Sequence, residues 1–166
     1  EGTYPLPEAQ VDRFMLKLKI NYPSKAEELQ ILRSQSRASG KVTANPVLQP
    51  EDIARLRLLA EDIYMDEKLE EYIVNLVECT RNPDAYQLNI GEYIRYGASP
   101  RATIFLAMAS RAHALLQGRG YVTPQDVKSI ALDVLRHRVI PTYEAEADEK
   151  TPEDLVGQIL DTVEVP

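Results

Sequence analysis

One cysteine in 166 residues, Cys79, has no internal partner, so no disulfide within the chain is available to staple it. Cys79 falls on the apolar stripe of an expected helix and reads as packing, in a reducing, cytoplasmic setting. Histidine is almost as scarce. His113 and His137 are the only two, and no Cys/His/carboxylate cluster has metal-ligand spacing, so no metal site is expected and both rings read as structural. Neither G-x-S-x-G nor G-x-x-x-x-G-K-[ST] occurs, which excludes a nucleophile elbow and a phosphate loop within these residues. No apolar run approaches the roughly 18 residues of a membrane span, and the start has no signal-peptide pattern. Positive charge is in deficit, 19 Lys/Arg against 26 Asp/Glu for a net charge of -7. A general nucleic-acid binder needs a basic face, so nucleic acid is not an expected partner.

What is present is enough for a core. At 44% hydrophobic and 27% charged, the chain suits one globular domain, or one domain with an attached piece. Its opening, "EGTYPLPEAQ", starts on Glu1 and reads as a piece of a longer protein. Charge is unevenly spread: Gly97 to Arg138 holds six Lys/Arg against Asp126 and Asp133, a local balance of +4 in an acidic chain.

Periodicity predicts one strand and five or six helices. "FMLKLKI" puts Phe14, Leu16, Leu18 and Ile20 on one face, the period of two of a half-covered strand, with no visible strand to pair with. "SKAEELQILR" opens a helix with Ser24 and Glu27 at capping-box spacing. Small polar residues over 34–46 form a loop or junction. A helix from Pro50 carries Ile53, Leu56, Leu59 and Ile63 on one side. Another, capped by Asp66, carries Leu69, Tyr72, Ile73, Leu76 and Val77. Residues 82–98 look irregular. The following helix is expected to bury Phe105, Met108, Ala109, Ala112 and Leu116 and to end at Gly118 and Gly120. "TPQDVKSIALDVLRHR" turns Val127, Ile130, Ala131 and Val134 inward, and an acidic loop, "EAEADEK", leads to a last helix from Thr151-Pro152. Glu70 and Glu71 read as solvated surface. Such short amphipathic helices pack as a bundle, all-helical over residues 50–138.

"YGASPR" poses the functional question. Ser99 is a good N-cap and Pro100 fits the first helical position, which puts Arg101 in the first turn. A cation there opposes the helix dipole at a cost of roughly 0.3–1 kcal/mol. Two readings remain open. Arg101 bends back to a carboxylate or into water, or it joins free backbone N–H groups in holding an anion such as phosphate.

"EGTYPLPEAQVDRF", "NYPSKAEELQILR", "PVLQPEDI", "GASPRATIFLAMASRAHALLQGRGYVTPQDV" and "VLRHR" together resemble the C-terminal portion of the MoxR family of AAA+ ATPases, in order and almost end to end. The resemblance implies a mainly α chain: a strand-helix remnant of the α/β ATPase core over 1–35, a linker over 36–49 and a helical lid domain over 50–166. It implies ATP as cofactor, with Mg2+ held by an upstream core that carries Walker A, Walker B and the sensor-1 asparagine. These residues alone are then inactive. By the same resemblance Gly97, Ala98, Ser99, Pro100 and Arg101 are the sensor-2 motif, with Arg101 on the β/γ-phosphates and the basic island on the nucleotide side. Arg13 of "DRF" matches the arginine finger that acts on a neighbouring subunit's ATP; its alternative is an ion pair with Asp12 or Glu8. A hexameric ring that remodels client proteins, often with von Willebrand factor A domains, is implied. The other classes kept open are a non-catalytic helical interaction module and the lid of a magnesium-chelatase-like motor subunit.

Overall fold

The computed structural model describes residues 6–36 and 44–166, so much of the expected junction and the first five residues lie outside it. Among the described residues the helices are α1 (Glu8–Val11), α2 (Lys25–Gln35), α3 (Pro50–Glu61), α4 (Glu67–Cys79), α5 (Pro100–Leu116), α6 (Pro124–Leu135), α7 (Tyr143–Ala147) and α8 (Pro152–Thr162). Two short strands, β1 (Ile94–Tyr96) and β2 (Ile140–Pro141), pair antiparallel, with Ile94 opposite Pro141 and Tyr96 opposite Ile140. No described helix is long and apolar enough to cross a membrane.

Capping chemistry sets the helix starts. Thr123 with Asp126, Thr151 with Asp154 and Ser24 with Glu27 form capping boxes, each satisfying amides that the first turn leaves free. The Asp66 carboxylate accepts from the Lys68 amide at 3.0 Å. Helix α5 closes on a Schellman turn. Gly118 takes φ +71°, which a side chain would resist, and the Arg119 amide donates to the Ala114 carbonyl at 3.0 Å.

The core forms where α5 packs against α3, α4 and α6, with α8 closing over α4 and α6. Leu69, Tyr72, Ile73, Leu76 and Val77 of α4 are all buried, as their spacing requires. Cys79 is buried among them, and burial pushes its thiol up to about 11, so it packs as an inert apolar group. Val127, Ala131 and Val134 of α6 are buried and Ile130 half-buried.

Several expectations are corrected. Residues 14–20 form no strand: their backbone has no neighbouring strand, and the Lys17 amide donates to the Asp133 carbonyl instead. Helix α2 runs two residues beyond Arg33, into the expected loop. Of the α3 stripe only Ile63, just past the helix, is buried; Ile53, Leu56 and Leu59 are exposed because α3 lies at the rim, mainly against α5. The inward face of α5 is Ala102, Leu106, Ala109, Ser110 and Ala114. Met108 and Leu116 point outward, while Phe105 and Ala112 are half-buried. Residues 82–98 hold 3-10 turns at Pro83–Tyr86 and Gly91–Tyr93 as well as β1, so 50–138 is not all-helical. The acidic loop contains α7, capped by the Thr142 hydroxyl.

Candidate functional site

The loop before α5 is fixed by contacts to the end of α4. Thr80, fully buried, donates its hydroxyl to the Val77 carbonyl at 2.6 Å and accepts the Ala98 amide at 2.9 Å. Arg81 donates to the Ala98 carbonyl at 3.3 Å. Gly97 lies so close to this corner that a Cβ there would sit 2.3 Å from the Thr80 carbonyl oxygen. The glycine is required by the contact, because no heavy atom fits at that distance from backbone.

Ser99 begins α5 as expected, but its side chain does not cap it. The hydroxyl donates to the Asp12 carboxylate at 3.0 Å, so the helix N-terminus has no side-chain cap and no acidic residue in its first turn. Arg101 lies beside it. Its guanidinium reaches Asp12 at 3.0 Å while the side chain stays 47% exposed. The carboxylate partner of the first of the two readings is therefore present, in a pair that leaves about half the Arg101 side chain open to solvent.

That openness separates Arg101 from the other arginines of the basic island. Arg111 pairs with Glu70, Arg119 with Asp126, Arg136 with Asp133 and Glu153, and Arg138 with Asp12. Their side chains are between 1% and 29% exposed. The local excess of positive charge is largely neutralised by these carboxylates and does not form an open phosphate-binding face. Asp126 illustrates how tightly. Burial opposes its ionisation, yet Arg119, the Thr123 hydroxyl and amide and the His113 ring together hold its carboxyl well below the usual carboxylate range.

Asp12 is the hub that residue-by-residue reading missed. It accepts from Ser99, Arg101 and, at 3.0 Å, the Arg138 Nε. These partners lie 87 to 126 residues away in sequence, and no local pattern marks them. Arg13, next to Asp12, is exposed and takes no part in an ion pair among the described residues, with Asp12 or with Glu8. The structure thus brings Ser99 and Arg101 together around Asp12 and leaves Arg13 on the outer side of the same turn. His137 donates from Nε2 to the Phe14 carbonyl at 3.0 Å, and burial holds its pKa below the ordinary histidine value. A cleft of about 220 Å³ opens alongside, between Glu8, Asp12, Tyr96, Ser99, His137 and Arg138.

A helical bundle with this loop at the head of its long helix is of the AAA+ lid class, and residues 87–159 match the family model described as the AAA lid domain. The chain belongs to the MoxR family of AAA+ ATPases and is the C-terminal part of such a protein. It is 41% identical over its whole length to Chaperone MoxR1 of Mycobacterium tuberculosis, covering 44% of that protein. It is 40% identical to the uncharacterized protein YeaC of Bacillus subtilis and 28% identical to Protein MoxR of Methylorubrum extorquens, covering 49% and 52% of them. A crystal structure of an inferred ATPase from Cytophaga hutchinsonii superposes with a TM-score of 0.95 at 41% identity, over all of this chain and 51% of that one. The chain spans about half the length of the curated relatives it matches.

Proposed function

We propose that the chain is the sensor-2 and lid portion of an ATP-driven ring that remodels or matures client proteins. Arg101 engages the β/γ-phosphates of bound nucleotide, and Arg13 serves as the arginine finger for a neighbouring subunit's. The boundaries follow: 1–35 ends the ATPase core, 36–49 links, and 50–166 is the lid. The observation that carries this reading is Arg101 itself, half exposed in the first turn of a helix that no side chain caps. Uncapped amides, the dipole and a guanidinium together suit phosphate oxygens.

The start of α5 at Ser99, Pro100 and Arg101, set in place by Gly97 and Ala98, suits a nucleotide's phosphates rather than its metal. Among the described residues no group of His, Cys, Asp or Glu is placed to hold a metal ion; the family resemblance assigns Mg2+ to the portion of the protein outside this chain. Bound ATP supplies the phosphoryl group; these residues orient it and balance its charge. The chain without Walker motifs is expected to bind nucleotide weakly at most and not to turn it over. A hexameric ring, von Willebrand factor A clients and a cytoplasmic setting belong to the same reading.

The test is Arg13→Ala in the full-length protein. A finger contacts charge that develops mainly in the transition state, so ATP binding should stay intact while turnover falls by about 10³–10⁵-fold. Unchanged turnover would return Arg13 to the surface.

A further inference from the structure

The most heavily bonded cation among the described residues has no role in that reading. Arg138 follows α6 and its side chain is 1% exposed, a position where an unpaired charge is strongly disfavoured. A guanidinium has five N–H donors, and Arg138 places all of them. Nε donates to the Asp12 carboxylate at 3.0 Å, and Nη2 to the carbonyls of Asp12 at 2.8 Å and Phe14 at 2.6 Å. Nη1 donates to the carbonyl of Met15 at 3.3 Å and to that of Val134. The face of the group lies 5.1 Å from the Phe105 ring centroid. Three of the five acceptors are the backbone carbonyls of Asp12, Phe14 and Met15, which bracket Arg13.

This grip is what orients the turn. Leu6 and Phe14 are 56% and 59% exposed, so apolar burial does little to hold it, and Met15 alone packs on the core from below. The same clamp reaches Arg101, because Asp12 accepts from Arg138 with one oxygen and from Arg101 with the other.

We propose that Arg138 is the positioning residue for Arg13: it locks the turn that carries Arg13 onto the lid and, through Asp12, joins it to Arg101, so that both arginines move as one body. The inference rests on the finger reading of Arg13 and deepens it. Movement of the lid then shifts the arginine offered to the next site. Lysine replaces the clamp only in part, since an ammonium has neither the fork nor the five donors.

The experiment uses the full-length ring. Arg138→Gln should lower kcat by about 10²-fold, the scale of an ångström-sized misplacement, with KM for ATP changing far less. Arg138→Gln subunits are then mixed with subunits whose own hydrolytic Walker B carboxylate is disabled. Activity should return, because the intact site of the variant now faces a well-held Arg13 from its neighbour. Arg13→Ala subunits, mixed in the same way, are the control. Recovery with Arg13→Ala but none with Arg138→Gln, in rings shown to be mixed, would overturn the positioning role and leave the finger intact. Recovery with neither would remove the finger and this inference together. Should Arg138→Gln fail to assemble, Arg138→Lys, which keeps the charge and most of the volume, decides by the same comparison with a smaller loss of kcat.

Discussion

Between Leu6 and Ser36 no residue is buried, whereas from Ile63 to Val163 the bundle holds the entire buried apolar cluster. Both regions contain well-formed helices. Helix α2 is started by a complete capping box, with the Ser24 amide donating to Glu27 at 2.7 Å, yet its Leu29, Ile31 and Leu32 face solvent. Helix α4 uses a simpler cap and buries a full stripe. Local chemistry is therefore sufficient to begin a helix, while tertiary burial decides how much it stabilises the fold. The N-terminal arm is tied to the bundle mainly by directional polar bonds: Arg138 to the turn, His137 to Phe14, Arg136 to the Lys17 carbonyl at 3.1 Å and the Lys17 amide to Asp133 at 2.8 Å. Such a joint fixes orientation closely and lets the arm carry Arg13 without sharing the core.

Substitutions that separate the two regions give the largest expected difference. Leu76→Ala, at a fully buried site, should cost about 2–5 kcal/mol, and Leu18→Ala in the arm should stay within about 0.5 kcal/mol. Chemical denaturation of the chain checks both, and equal costs would break the comparison. Next comes Thr80→Val, which keeps shape but strips the Ala98 amide of its partner. The expected cost is about 1–3 kcal/mol, with little change in the arm's amide hydrogen exchange. Exchange that instead rises in the arm would mean the two regions open together.

Acid sharpens the contrast more gently. The folded-state pKa of Asp126 is depressed, so its contribution is fully present above the unfolded carboxylate value of about 3.9 and is lost as pH falls below it toward the folded value. Asp126→Asn should lower Tm at pH 7 and flatten the decline of Tm between about pH 4 and pH 2.5. Parallel acid limbs for the two proteins would show that Asp126 is not the coupled group.

The legible parts of the fold are those written locally. The α4 stripe, the Thr-Pro-x-Asp starts of α6 and α8 and the glycine stop of α5 each follow from a few adjacent residues. The inward face of α5 was not legible, because "IFLAMASRAHALL" is apolar nearly all round and its period is weak. Alternation over residues 14–20 describes two faces but says nothing about a partner strand, and none is present among the described residues. The site divides in the same manner. The helix start at Ser99-Pro100-Arg101 could be read from the residues. Asp12, Thr80 and Arg138 could not, since their roles come from contacts 18 to 126 residues apart.

Contact between Arg101 and nucleotide phosphate is decided by a binding isotherm for ATP on the full-length protein. A charge-assisted contact contributes about 1.5–3 kcal/mol, so Arg101→Ala should raise Kd by roughly 10- to 150-fold, while Arg13→Ala should leave Kd nearly unchanged. An Arg101→Ala protein that binds ATP as tightly as the parent would contradict the account and leave Arg101 as the surface partner of Asp12.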